Sequence, residues 1–195
     1  KADIIEVFNE VSGNIFPNDT ADKYAAFFKA SAIGIKDALK ETDQTARISP
    51  SSISNSSTDY AYTKKLLEND ISEYSDIFNK HYYHIGYKNN NIDKRIGMDR
   101  YDERLMNILN GYGFENRSVV VTEQGMHVPK DTDSNGNRLS EMTPEQEKML
   151  AQYGPTSLIE TLAMGADEAI WWINGAFDEV TYLLGNMTNS GEPCR

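Results

Sequence analysis

With 195 residues, 22.0 kDa and 39% hydrophobic content, the chain is long enough to bury one substantial core and has the composition of a globular protein. Its formal charge of −11 and pI of 4.7 argue against a partner built on a phosphate backbone, which would be repelled at long range, so no nucleic acid is expected to bind. No run approaches the ~18 consecutive apolar residues of a membrane-spanning helix, so no membrane partner is expected either.

The chain enters on Ile4-Ile5-Glu6-Val7-Phe8-Asn9-Glu10, a short apolar run that ends in a glutamate. Such a run reads as a buried strand of a parallel sheet, and an acidic residue at its C-terminal tip stands at the mouth, where parallel-sheet enzymes keep their chemistry. No methionine or signal peptide precedes it, and the N-terminus is expected to be cut rather than natural. Beyond a loop, Asp19 or Thr20 caps a helix from Ala21 to about Lys40, in which Tyr24, Phe27, Phe28, Ala32, Ile35 and Leu39 recur at helical spacing. Thr45 to Ser49 is a short strand, stopped by Pro50 and a serine-rich loop. A helix from Asp59 to Asn69 follows, turning Tyr62, Leu66 and Leu67 inward, and Ser75 to Tyr82 is the next strand.

The polar triplet Asn89-Asn90-Asn91 leads into a helix from about Ile92 to Asn110, ended by Gly111-Tyr112-Gly113. Ser118-Val119-Val120-Val121-Thr122 then repeats the opening pattern and delivers Glu123 at its tip. After a polar excursion, Thr143-Pro144-Glu145-Gln146 opens a helical region to about Met164, with an interruption expected near Gly154-Pro155. Ala169 to Ile173 is the last strand. Four sequons, at Asn18, Asn55, Asn116 and Asn186, are compatible with an extracellular or secreted protein. The single cysteine, Cys194, cannot form an internal disulfide.

The order is βαβαβαβαβ, with room for three βα units between Glu10 and Glu123. Strands three places apart in an eight-stranded barrel face each other across its mouth, so this spacing favours an α/β chain forming part of a (β/α)8 TIM barrel. Five strands are predicted where a complete barrel has eight and needs about 250 residues. The missing material is expected to be N-terminal, supplied by an absent segment or by a second chain.

With that order, the chain resembles the C-terminal part of a retaining glycoside hydrolase of the (β/α)8 superfamily called clan A, nearest its xylosidase, iduronidase or endoglycosidase-like members. Asn9-Glu10 matches the Asn-Glu pair that ends strand four, and Thr122-Glu123-Gln124-Gly125 matches the end of strand seven. The resemblance therefore implies that residues 1–195 are the C-terminal portion of a catalytic domain, strands four to eight, with the first three units absent. It implies Glu10 as acid/base and Glu123 as nucleophile. It also implies a histidine and a tyrosine near the tip of strand six, supplied by His81 and Tyr83 with Tyr82 as the alternative. On strand eight it implies a tryptophan wall of the sugar site, Trp171 or Trp172.

Retention requires the two carboxyl groups to stand about 5 to 5.5 Å apart, with Glu123 ionised for attack and Glu10 carrying the proton for the leaving oxygen. Asn9 is expected to hydrogen-bond the sugar 2-hydroxyl, Tyr83 to orient Glu123, and His81 to bond substrate or Glu10. Strand alternation sends Trp171 and Trp172 to opposite faces, and Trp172 is the preferred stacking platform. Arg47 is odd inside a strand and is explained by a carboxylate partner, a glycan contact or a surface position at a strand end. Asp131 to Asn137 starts like a calcium loop but lacks its closing glutamate, Met142 standing there, and reads as a solvent-facing turn. No metal or organic cofactor is required. The expected partner is a carbohydrate substrate, and the competing reading is a non-catalytic carbohydrate-binding or assembly protein.

Overall fold

The computed structural model describes residues 2–11, 21–52, 59–84, 105–126, 144–163 and 165–171. Its elements are β1 (Ile4–Val7), α1 (Ala21–Glu41), β2 (Arg47–Pro50), α2 (Asp59–Leu67), a 3₁₀ turn (Ile71–Tyr74) and β3 (Phe78–His84). They continue with helical residues 105–110 (α3), then β4 (Val119–Met126), α4 (Pro144–Ala163) and β5 (Glu168–Trp171). This is an α/β domain of alternating strands and helices in which every strand pairing is parallel, with β1 on β2 and β4 between β3 and β5.

The helices form where the apolar period demands them. In α1, Tyr24, Ala25, Phe28 and Ala32 are buried along one face, while Asp22 in the first turn and Lys40 in the last complement the helix dipole. Asp43, at φ 51°, closes it, with Gln44 N–H bonding Leu39 O at 2.9 Å and Asp43 N–H bonding Lys40 O at 3.4 Å. Gly113 ends α3 at φ 85° as expected, and an added Cβ there would meet Ser72 Oγ at 2.9 Å. The expected break near Gly154-Pro155 does not occur. Pro155 lies within α4, and the next hydroxyl, Thr156 Oγ1, donates to Gln152 O at 2.9 Å.

Strand alternation sorts the side chains. Val7, Ile48, Phe78 and Val119 join Tyr24, Phe28, Tyr62, Leu66, Leu105, Leu109 and Phe114 in one core on the helix side. Their neighbours Glu6, Ser49, Asn79 and Val120 fall on the opposite, inner face, where Glu6 pairs in register with Ser49 and Asn79 with Val120.

The two sheet fragments are joined through Asp76. Its N–H donates to Ile48 O, and its Oδ2 accepts the Ile48 N–H, both at 2.8 Å. Asp167 repeats the device at β4, donating its N–H to Val119 O at 2.8 Å and accepting the Val119 N–H at 2.9 Å. An aspartate just before a strand thus stands in for a ladder residue on both sides.

The sheet is curled. In a flat one, strands at about 4.8 Å spacing would place β1 and β4 roughly 14 Å apart, beyond the reach of a glutamate and a threonine. Yet Thr122 Oγ1 of β4 donates to Glu6 Oε2 of β1 at 3.1 Å. Arg47 at the start of β2 likewise reaches Glu168 at the start of β5, at 2.5 and 3.1 Å. The concave polar face is that of an arc of a TIM-barrel-like fold, and no closed eight-stranded barrel is present among the described residues.

Candidate active site

At the carboxyl end of this arc three glutamates meet one histidine. His81 is 2% exposed on the inner face of β3. Its Nδ1 stands 2.9 Å from Glu10 Oε1 and 2.5 Å from Glu123 Oε2, and its Nε2 stands 3.8 Å from Glu6 Oε1.

Glu10 is placed by the way β1 ends. Phe8 and Glu10 adopt φ 79° and 45°, the left-handed region that side-chain-bearing residues avoid at a cost of order 1–3 kcal/mol each. The exit is held by Tyr24 of α1, whose hydroxyl donates to Val7 O at 2.7 Å and accepts the Ser51 N–H at 2.5 Å. Burial pushes the Tyr24 phenol well above its ordinary range, so it stays a neutral donor. Ser51 Oγ then accepts the Val11 N–H at 3.2 Å, pinning the chain just past Glu10. The strand expected to run to Glu10 therefore stops at Val7, and the glutamate sits on a strained turn.

Glu123 is placed by a bulge. Lys80 pairs with Val121 but His81 with Glu123, and across the other edge Val121 pairs with Ala169 while Gln124 pairs with Trp171. β4 therefore carries one extra residue against both neighbours. A regular strand would send Thr122 and Glu123 to opposite faces; the bulge lets both serve the inner one. Gln124 falls back to the helix side, where its Oε1 accepts the Thr161 hydroxyl of α4 at 3.0 Å.

Electrostatics follow from the contacts. Burial alone would lower the His81 pKa, but hydrogen bonding to Glu10 and Glu123, with the Glu6 carboxylate close by, outweighs it and pushes it up to about 10. The ring is thus an imidazolium at neutral pH, its Nδ1 facing the carboxyl groups of Glu10 and Glu123. Burial raises the Glu6 pKa, and the nearby His81 and the hydrogen bond from the Ser52 N–H outweigh that to leave it lowered.

The ligating atoms of Glu10, His81 and Glu123 lie within 4.8 Å of one another, close enough to bind one cation. Such a cation must displace the His81 proton, because a metal takes the neutral ring.

Glu10, His81 and Glu123 are therefore brought together. Asn9 is exposed beside Glu10. Tyr83 follows in β3 with its backbone opposite Gly125. Trp172 and the loop 131–137 lie outside the described residues, while Trp171 is buried at the end of β5. Arg47 has a carboxylate partner, Glu168, in a part-exposed pair at the opposite end of the strands. Sequence reasoning missed Glu6 and Thr122. The signal for Glu6 was an acid breaking the apolar alternation of β1; Thr122 had none, since a bulge is a property of pairing.

No family model matches the chain, and no curated protein matches it. Solved structures do. An exo-β-1,3-glucanase of family GH128, subgroup VI, from Aureobasidium namibiae is similar over 98% of this chain and 64% of its own, at 14% identity and a TM-score of 0.56. A glucosidase from Croceicoccus marinus is similar over 89% of this chain and 33% of its own, at 15% identity and a TM-score of 0.57. A GH51 arabinofuranosidase from Xanthomonas axonopodis pv. citri is similar over 88% of this chain and 37% of its own, at 16% identity and a TM-score of 0.51. The chain thus spans less than two thirds of each of these proteins, and at such identities the likeness is one of fold.

Proposed function

We propose that this chain is part of a retaining glycoside hydrolase that cleaves O-glycosidic bonds of an oligosaccharide or polysaccharide by double displacement. The observation that carries the reading is that carboxylates from β4 and the exit of β1 share one histidine nitrogen and have oxygens within 4.8 Å of each other. Two carboxyl groups at about 5 to 5.5 Å leave no room for a water on the far face of the sugar, the geometry of retention. The fold likeness to a glucanase, a glucosidase and an arabinofuranosidase supports the same class.

In the first step an oxygen of Glu123 bonds the anomeric carbon while the bond to the leaving oxygen breaks and Glu10 gives that oxygen its proton. In the second, water attacks the anomeric carbon, loses its proton to Glu10 and releases Glu123. Asn9, exposed beside Glu10, holds the sugar 2-hydroxyl in this reading, and Tyr83 and Trp172 line the sugar site. His81 holds the two carboxylates together.

The test is release of phenol from a panel of aryl β-glycosides. We expect turnover by the protein with its barrel complete and, with Glu123→Gln, a loss of more than about a thousandfold in kcat/KM at unchanged folding. Glycan binding without turnover would overturn the assignment in favour of a carbohydrate-binding protein.

A further inference from the structure

Glu6 is the one acidic residue inside β1, and nothing in the hydrolysis of a glycoside by Glu10 and Glu123 requires it. Its side chain is 20% exposed, on the inner face beneath the carboxylate pair. A part-buried carboxylate costs desolvation that a leucine would not, so its partners must account for its presence. Those partners come from all three neighbouring strands of the arc. Oε1 accepts the Ser52 N–H just past β2 at 2.8 Å and lies 3.8 Å from His81 Nε2 of β3. Oε2 accepts the hydroxyl of Thr122, a residue of the β4 bulge, at 3.1 Å.

The two contacts lead to the two members of the pair. His81 presents Nδ1 to Glu10 and Glu123 and its opposite edge to Glu6. An anion 3.8 Å from Nε2 favours the charged form of the ring, in which Nδ1 donates to the other two. Thr122 immediately precedes Glu123, so holding its hydroxyl holds the bulge that turns Glu123 inward.

We infer that Glu6 is a positioning residue: anchored by the Ser52 N–H, its carboxylate fixes the His81 ring on one side and the β4 bulge on the other, and so sets how Glu10 and Glu123 approach each other. The inference rests on the glycosidase reading for its consequence in catalysis, but the clamp on His81 and Thr122 exists without it. Among the described residues the charged groups that face the ring are Glu6 on β1, Glu10 at its exit and Glu123 on β4, and the segment just past β2 contributes the neutral Ser52 N–H, through Glu6.

Two near-isosteric variants of the full chain test it. Glu6→Gln keeps size and removes charge; Thr122→Val keeps shape and removes the hydroxyl. Each is read in two ways, by steady-state kinetics on an aryl β-glycoside and by NMR titration of the His81 ring. For Glu6→Gln we expect kcat to fall about tenfold or more, the range seen when the partner behind a working histidine is lost, with KM within about threefold. The His81 midpoint should move to lower pH.

Thr122→Val should lower kcat by several-fold with the same sign of shift, and decides the matter should Glu6→Gln not fold. Variants that melt earlier yet keep the kcat and the His81 midpoint of the parent would reduce Glu6 to a structural plug and overturn the inference. Absence of glycoside turnover with the barrel complete would sink the glycosidase reading alone. The His81 midpoint in the two variants would then still decide whether Glu6 governs the ring.

Discussion

A buried histidine among three carboxylates makes His81 a counter-charge for the site rather than a neutral core residue. Its folded-state pKa, about 10, lies above the ~6.5 of an unfolded chain. The stabilisation it brings is therefore fully present below about pH 6.5 and is lost as pH rises through 10. Melting temperature measured against pH should fall between those limits more steeply in the parent chain than in His81→Gln. Parallel slopes would mean that the ring is not charged in the folded protein. Glu10, Glu123 and His81 were legible in the sequence because each stands at the end of a strand-like run, where side chains meet a ligand rather than a core. Glu6 was not, because it sat inside a run whose neighbours all belonged indoors. An inward-facing acid in a strand is itself informative: it must have partners, and those partners define a site.

At the level of elements, alternation and capping signals found every described strand and α-helix but not the 3₁₀ turn Ile71–Tyr74, with ends that moved by a few residues. The ends moved where tertiary contacts decided them. Asp76 and Asp167 seal strand starts through their own side chains, and β4 runs on to Met126 because the bulge carries its pairing past Glu123. The glycine end of α3 was legible for a local reason, the left-handed backbone that glycine alone adopts cheaply. Gly113 and Gly165 stand at φ 85° and 106°, and a Cβ at Gly113 would strike Ser72 Oγ whereas one at Gly165 meets nothing within 4 Å. Gly113→Ala should therefore cost more than the ~1–2 kcal/mol of left-handed strain alone, and Gly165→Ala about that amount, as read by urea denaturation. Equal costs would remove the Ser72 contact from the account.

Over the whole molecule, two contacts reaching across three strand spacings establish the curl. They differ in weight. Arg47 and Glu168 are bidentate but 36% and 44% exposed, at the end of the arc away from the carboxylate cluster. A pair so open to solvent contributes about 0–1 kcal/mol, so Arg47→Ala should leave stability within that range and turnover unchanged. A loss of activity in that variant would show the base of the arc to be coupled to its mouth. The parallel order of the strands was legible because each βα repeat declares itself locally. The curvature was not, since it depends on which side chains reach across the concave face.

The account as a whole turns on one bond, that between Glu123 and an anomeric carbon. A 2-deoxy-2-fluoro β-glycoside with an activated aryl leaving group, of a sugar the complete protein turns over, traps that species, because the fluorine slows both steps while the leaving group restores the first, and peptide mass spectrometry then locates the label. The account predicts a single sugar on the peptide containing Glu123, with none formed in Glu123→Gln. A label on Glu10 or on another residue, or turnover that proceeds with inversion and leaves no covalent species, would contradict it.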